Sequence, residues 1–285
     1  FPWCDSFAAA RNESLRRATA DWIFWMDADD TIDPINGAKL RQLLQPPVAS
    51  NTLAFVAQVC CPLSDTDGHP TTEVVVDHIK LFRRHPSIRF TGRIHEQVLG
   101  TIRTLGGEVA WSDVQVKHSG ADHTPDGRQR KYERDLRLLR LELVDDPDST
   151  FALFNMGMTL VDKGDYEPAL EALCRSLQMA SPGESHVRKI YALLVQSFIA
   201  LGRISAACKT CKQGLAVAPD DPELLFRLAI LEHRTGNLNV AEQLLRKLLA
   251  LPRARHFGSV DRGITGVKAW HNLALILQQK GDFAG

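Results

Sequence analysis

The sequence lacks a charge bias: 34 Lys and Arg stand against 34 Asp and Glu, for a formal net charge of +0. So balanced a chain carries no electrostatic footprint for nucleic acid or for an anionic membrane. No apolar run approaches the ~20 residues that span a bilayer, so no transmembrane segment is expected. No signal-peptide layout is visible. Cysteine is sparse. The six thiols (Cys4, Cys60, Cys61, Cys174, Cys208 and Cys211) in 285 residues make no disulfide framework and read as reduced thiols of a cytoplasmic protein. The C-x-x-C at Cys208–Cys211 has no second pair nearby, which argues against zinc and for small core residues on a helix. The basic run from Arg128 to Arg137 is interrupted by Glu133 and Asp135, so it reads as a solvated helix face. What is present is 44% apolar and 24% charged residues, the balance of a globular chain long enough for two domains.

Two styles of sequence meet near residue 125. Before it, apolar and β-branched runs alternate with turn residues, which reads as an α/β domain. A helix is expected over Asp5–Ala20 and another over Ile35–Leu44, ended by Pro46 and Pro47. Between them, Trp22-Ile-Phe-Trp-Met26 is five consecutive apolar residues, the pattern of a strand covered on both faces in a sheet interior. Further strands are expected over Leu53–Val59, Val74–Phe82 and Val109–Val116, punctuated by Gly68, Gly92, Gly106 and Gly107.

After residue 125 helical periodicity takes over and small residues repeat. Gly164, Gly202 and Gly236 are each followed five residues later by alanine (Ala169, Ala207, Ala241), and Gly281 begins a fourth copy. A unit of about 34 residues with glycine at the inter-helix turn and alanine at the close approach is the tetratricopeptide pattern. Pro182, Pro219 and Pro252 close three units, and an insertion around Arg253–Gly266 lengthens the last spacing. The expected division is 1–125 for the α/β domain, 126–149 for a linking helix built on Arg128–Leu143, and 150–285 for about three and a half repeats of an all-α solenoid.

The chemistry concentrates at the end of the Trp22–Met26 strand. Asp27, Asp29 and Asp30 put three carboxylates within four residues where ligands of open α/β sheets bind. Such a cluster suits Mg²⁺ or Mn²⁺, which bridge to substrate phosphates. The plainer alternative is a polar loop in which Asp30 or Thr31 caps the next helix. A calcium loop is excluded, because its sixth position is Ile32 where such a loop needs glycine.

With those residues in hand a resemblance is visible. Phe7-Ala-Ala-Ala-Arg11-Asn12, followed by Ala20-Asp21-Trp-Ile-Phe-Trp-Met-Asp27-Ala-Asp29-Asp30, resembles the family-2 glycosyltransferases of GT-A fold, a Rossmann-like mixed sheet. Ile79-Lys-Leu-Phe82, then Ile88-Arg-Phe-Thr-Gly92-Arg93-Ile-His95-Glu96, looks like the base-carrying segment of a bacterial subgroup, and Val116-Lys-His118-Ser-Gly120 like its closing strand. Members of that subgroup often carry tetratricopeptide repeats after the catalytic domain. The resemblance implies a Mn²⁺ or Mg²⁺ ion held by Asp27, Asp29 and His118, with an ordinary loop histidine as the alternative for His118. It implies donor contacts from Arg11, Asn12, Asp27 and Asp30. Glu96 would be the general base with His95 as runner-up, unless both only serve a surface ion pair with Arg93. The implied reaction is inverting transfer from a nucleotide sugar, UDP-sugars being the commonest donors, to an acceptor that the repeats bind, a protein or peptide among the candidates. The rival is a peptide-binding repeat module with an inactive transferase remnant. Family members begin with a strand, a Gly- or Ser-rich turn and an acidic base-reading residue, which do not precede Phe1. The chain is therefore expected to be cut at both ends, missing about 70 residues at the front if each βα unit takes ~30.

Overall fold

A computed structural model of the chain describes residues 1–45, 48–64, 70–120, 124–181, 183–252 and 259–281. The described residues form two compact units, one of 1–71 with 75–147 and one of 72–74 with 148–285.

The first unit opens with helix α1 (Phe7–Arg17), started by Ser6, whose hydroxyl accepts from the Ala9 amide at 3.1 Å. Strands β1 (Trp22–Phe24) and β2 (Asp30–Thr31) follow, then α2 (Pro34–Leu43), β3 (Thr52–Ser64), β4 (Pro70–Arg83), α3 (Leu99–Thr104), β5 (Glu108–His118) and α4 (Pro125–Asp145). Five strands run in the order β1-β4-β3-β5-β2. The sheet is mixed: β3 and β5 are parallel, whereas β1 lies antiparallel to β4 and β2 antiparallel to β5. Ala57, Val114 and Val116 are buried against Phe24, Ile32, Leu40 and Leu43, so α2 covers one face.

The expected interior strand takes a different form. β1 is three half-buried residues on the edge of the described sheet. Trp25 lies just past the end of the strand, its indole N–H donating to the Ile79 carbonyl. Helix-capping falls to neither Asp30 nor Thr31 but to Asp33, which accepts from the Asn36 amide at 2.7 Å. Pro46, Pro47 and Gly68 lie outside the described residues. The helix expected to link the domains is α4, which clusters with the first unit.

The second unit is a run of helix pairs: α5 (Thr150–Lys163) with α6 (Tyr166–Met179), α7 (Val187–Ala200) with α8 (Ile204–Val217), and α9 (Pro222–Arg234) with α10 (Leu238–Ala250). A short strand β6 (Ser259–Asp261) and α11 (Val267–Lys280) follow. Gly164, Gly202, Gly236 and Gly281 all adopt positive φ, between 72° and 90°, which is why glycine recurs at the turn. Ala169, Ala207 and Ala241 are fully buried. Gly214 shows how tight the packing is: a Cβ there would lie 2.7 Å from Leu224 and 2.8 Å from Tyr191. Cys211 is buried with Ala207 and Leu228, and burial pushes its thiol up to about 12, so the C-x-x-C belongs to this core. Pro219 and Pro252 follow the ends of α8 and α10, while Pro182, residues 253–258 of the insertion and the last four residues fall outside the described set. Among the described residues no helix is long and apolar enough to cross a membrane.

Candidate active site

Strand register assembles the site. The two residues of β2 pair with the end of β5, setting Asp30 opposite His118. The loop before β2 is tied down as the Ser119 amide and hydroxyl both donate to the Asp29 carbonyl, at 3.1 and 3.0 Å. Beyond β1, the Trp25 amide donates to the Lys80 carbonyl at 3.0 Å, which carries the chain from the edge strand to Asp27 alongside β4.

Asp30 is the anchor. Its side chain is 0% exposed, and its Oδ2 accepts from the Lys80 ammonium at 2.6 Å and from the Asp27 amide at 2.8 Å. Its Oδ1 lies 3.0 Å from His118 Nδ1. Burial alone would raise its pKa, but Lys80, the Asp27 amide and His118 together outweigh that and hold it below the usual carboxylate range. His118 Nε2 lies 3.5 Å from Asp29 Oδ2. Asp27, Asp30 and His118 each offer a donor atom, and these lie within 4.8 Å of one another.

Glu96 reaches the same place from a different loop. The Thr91 and Gln97 amides exchange hydrogen bonds of 3.0 Å that close residues 91–97 into a tight loop. Gly92 at φ 93° and His95 at φ 53° make its turns. Glu142 of α4 accepts from the Arg93 amide at 2.8 Å, and the Arg93 guanidinium grips Asp145. Asn12 fixes the approach: its amide nitrogen donates to the Phe90 carbonyl at 2.9 Å, and the Phe90 amide donates back to its oxygen at 2.8 Å. Both ends of the Asn12 amide are thus engaged in holding the loop. Arg11, one residue earlier on α1, bridges the two acids. Its Nε donates to Glu96, and its Nη2 donates to Asp27 Oδ1 at 2.5 Å. Burial disfavours the guanidinium's charge, but Glu96 and Asp27 more than compensate and its pKa is raised.

The structure therefore brings Arg11, Asp27, Asp29, Asp30, Glu96 and His118 together. It does not bring His95 with them. The charges that act on His95 are Asp135, Lys131 and Arg134 of α4, its Nε2 is buried without a hydrogen-bond partner, and burial pushes its pKa down to about 4. Two participants were not singled out from sequence. Lys80 is 2% exposed, and its ammonium lies 3.6 Å from the centre of the Trp25 ring, over which the Arg11 guanidinium also sits at 4.3 Å. Trp25 is held by its indole N–H, which donates to the Ile79 carbonyl at 2.7 Å. Nothing in the pattern Ile79-Lys80-Leu81 announced an acid for the lysine to meet. A separate cleft of about 570 Å³, lined by Asn12, Arg16, Arg84, His85 and Arg89 among others, contains none of the carboxylates.

Three carboxylates (Asp27, Asp30, Glu96) contact two permanent cations (Arg11, Lys80), and a fourth, Asp29, lies beside His118. Four against two leaves a deficit matching one divalent ion, and oxygen donors with one imidazole are an acceptable set for Mn²⁺ or Mg²⁺.

A mixed α/β unit with an acid-rich strand end, followed by a helical repeat array, is the class that fold and site define. Comparison with known proteins shows what each part resembles. Residues 2–93 match the model for glycosyl transferase family 2, and residues 152–181 and 188–231 match models for the tetratricopeptide repeat. The chain is thus similar to a family-2 glycosyltransferase over its front part and to tetratricopeptide repeats after it. A TPR repeat-containing protein of Synechococcus elongatus is 27% identical over 290 residues, covering 98% of this chain and 58% of that protein. The SPbeta prophage-derived glycosyltransferase SunS of Bacillus subtilis is 25% identical over 177 residues, covering 61% of this chain and 40% of SunS. The chain therefore spans roughly two- to three-fifths of the length of these relatives. Among solved structures, MamA matches with a TM-score of 0.45 at 17% identity over 57% of this chain and 88% of that one.

Proposed function

We propose that the chain carries the catalytic centre of an inverting, cation-dependent glycosyltransferase that uses a nucleotide-sugar donor. The observation behind this reading is the convergence of Asp27, Asp29, Asp30 and His118 beside a fourth acid, Glu96, which Arg11 ties to Asp27. Asp27, Asp29 and His118 would hold Mn²⁺ or Mg²⁺, which when bound neutralises charge on the departing nucleoside diphosphate. Arg11 and Lys80 add fixed positive charge at the same place. Glu96 accepts the proton of the acceptor nucleophile as that nucleophile bonds to the anomeric carbon and the bond to the diphosphate breaks. A single displacement of this kind inverts the carbon.

The repeats have the role of holding the acceptor, a protein or peptide, on the surface that stacked helix pairs provide. UDP-sugars are the first donors to try. A second reading, a peptide-binding module whose front domain is inactive, draws on the repeat matches alone. It leaves unexplained why four carboxylates are gathered with only two permanent cations. The deciding experiment incubates the protein, expressed from its full reading frame, with a panel of nucleotide sugars and Mn²⁺ and measures nucleoside diphosphate release. Release from one donor, abolished by chelation, supports the enzyme reading. No release from any donor, together with no Mn²⁺-dependent thermal stabilisation by a nucleoside diphosphate, rejects it in favour of the binding module.

A further inference from the structure

We infer that Asp30 is a positioning residue: it accepts a hydrogen bond from the Nδ1–H of His118 and thereby leaves the bare Nε2 of that imidazole facing Asp29, where the cation is held. This rests on the cation site of the proposed function and divides its acids into ligands and a support. Asp30 accepts from the Lys80 ammonium and the Asp27 amide on one oxygen, at 2.6 and 2.8 Å, which is the environment of an ionised carboxylate. An ionised carboxylate has no proton to donate. The 3.0 Å contact between Asp30 Oδ1 and His118 Nδ1 therefore has the imidazole as donor. In the neutral ring the lone pair then sits on Nε2, 3.5 Å from Asp29 Oδ2. Two acceptor atoms facing each other at that distance repel, and a cation coordinated by both removes the repulsion. Asp30 itself is poorly suited to ligate: both its oxygens are engaged and its side chain has no exposed surface. The arrangement is a carboxylate behind a histidine ligand, which fixes the ring's tautomer and orientation. Lys80 extends it one step further, since its ammonium holds Asp30 ionised and in place.

The test reads the histidine and the metal directly, with no sugar nucleotide present, so it can fail while the transferase reading stands, and the reverse. ¹⁵N-histidine NMR at mildly alkaline pH, with the His118 signals identified by their loss in His118→Gln, is expected to show Nδ1 protonated and Nε2 bare. In Asp30→Asn the amide N–H of the new side chain faces Nδ1 and the other tautomer is expected. Mn²⁺ affinity, measured by the disappearance of free Mn²⁺ from the electron paramagnetic resonance spectrum, should then fall by about 10–100-fold, as for loss of other supporting carboxylates. Asp29→Asn should lower Mn²⁺ affinity without changing the His118 tautomer. A wild-type His118 carrying its proton on Nε2 overturns the inference, and that measurement needs no variant if Asp30→Asn fails to fold. So does a folded Asp30→Asn that keeps both the tautomer and the Mn²⁺ affinity of the unmutated chain.

Discussion

The two units use charged side chains in opposite ways. In the repeat array, acids and bases are matched across helices: Lys189 with Glu223 at 2.6 Å, Arg203 with Glu167 at 2.5 Å, Lys280 with Glu242 at 2.6 Å. Each pair joins neighbouring repeats, and no acid of these pairs lacks a base. In the first unit, Asp27, Asp30 and Glu96 crowd around Arg11 and Lys80, Asp29 adds a fourth acid beside His118, and positive charge runs short. Matched pairs hold a scaffold together. An unbalanced cluster is costly to keep unless a ligand completes it. The contrast would, on the proposed function, separate a recognising part of the chain from a reacting one, and it can be attacked by mutating equivalent chemistry on both sides.

The largest difference is expected in turnover. Glu96→Gln keeps the shape of the side chain but removes the proton acceptor, and kcat should fall by about 10²–10⁴-fold, the usual contribution of a general base. Glu223→Gln, in a matched pair of the array, should leave kcat on a small acceptor unchanged. Steady-state rates with thermal unfolding as a control for folding check both. Equal losses from the two variants would erase the distinction between the units.

Stability should part them next. Lys80 is 2% exposed, and Lys80→Met leaves Asp30 buried without its counter-ion. The first unit should lose about 3–5 kcal/mol, the range for breaking a buried pair by removing one partner. Urea unfolding followed by tryptophan emission suits the measurement, since Trp3, Trp22, Trp25 and Trp111 lie in the first unit and only Trp270 in the second. A midpoint that hardly moves would mean that Asp30 finds another partner or a proton.

Lys80 also marks the limit of what the sequence discloses. The repeats are legible because a backbone constraint selects one residue type: a turn at positive φ wants glycine, and a close helix approach wants alanine. The carboxylates are legible because repulsion makes three acids in four residues unusual. Glu96 and His118 came only with the family resemblance, since nothing local sets them apart. Lys80 and Trp25 depend on partners far along the chain. A lysine between Ile79 and Leu81 looks like any strand residue until Asp30, 50 positions away, is placed beside it. Trp25 reads as one more apolar residue of a buried strand, yet its ring lies beneath two cations. Periodicity reports burial; it does not report what is buried against what.

Acid should weaken the first unit before the array. Burial, the main cause in both, pushes His78 and His95 of the first unit down to about 4 from 6.5, so each stays neutral when folded and takes up a proton on unfolding below 6.5. The unfolded state then binds more protons, and stability falls as pH drops from 6.5 toward 4, by about 1.4 kcal/mol per pH unit for each histidine. The array has a weaker counterpart in His186, whose pKa is also lowered by burial. His95→Gln should flatten the acid slope of the first unit by about one proton when urea midpoints are compared across that range. An unchanged slope would show that His95 is solvated in solution.

The smallest effect belongs to the array's own ion pairs. Arg203 and Glu167 are joined at 2.5 Å, but their side chains remain 49% and 58% exposed. Water screens the pair and both long side chains lose freedom in forming it, so Arg203→Ala should cost only about 0.2–1 kcal/mol. Lys80 and Asp30, at 2.6 Å, make nearly the same contact with almost no exposure. Setting the two variants side by side in one denaturation experiment holds contact distance nearly constant and varies burial. If Arg203→Ala proves as damaging as Lys80→Met, contact geometry rather than burial governs these pairs, and the charge deficit of the first unit loses its special standing.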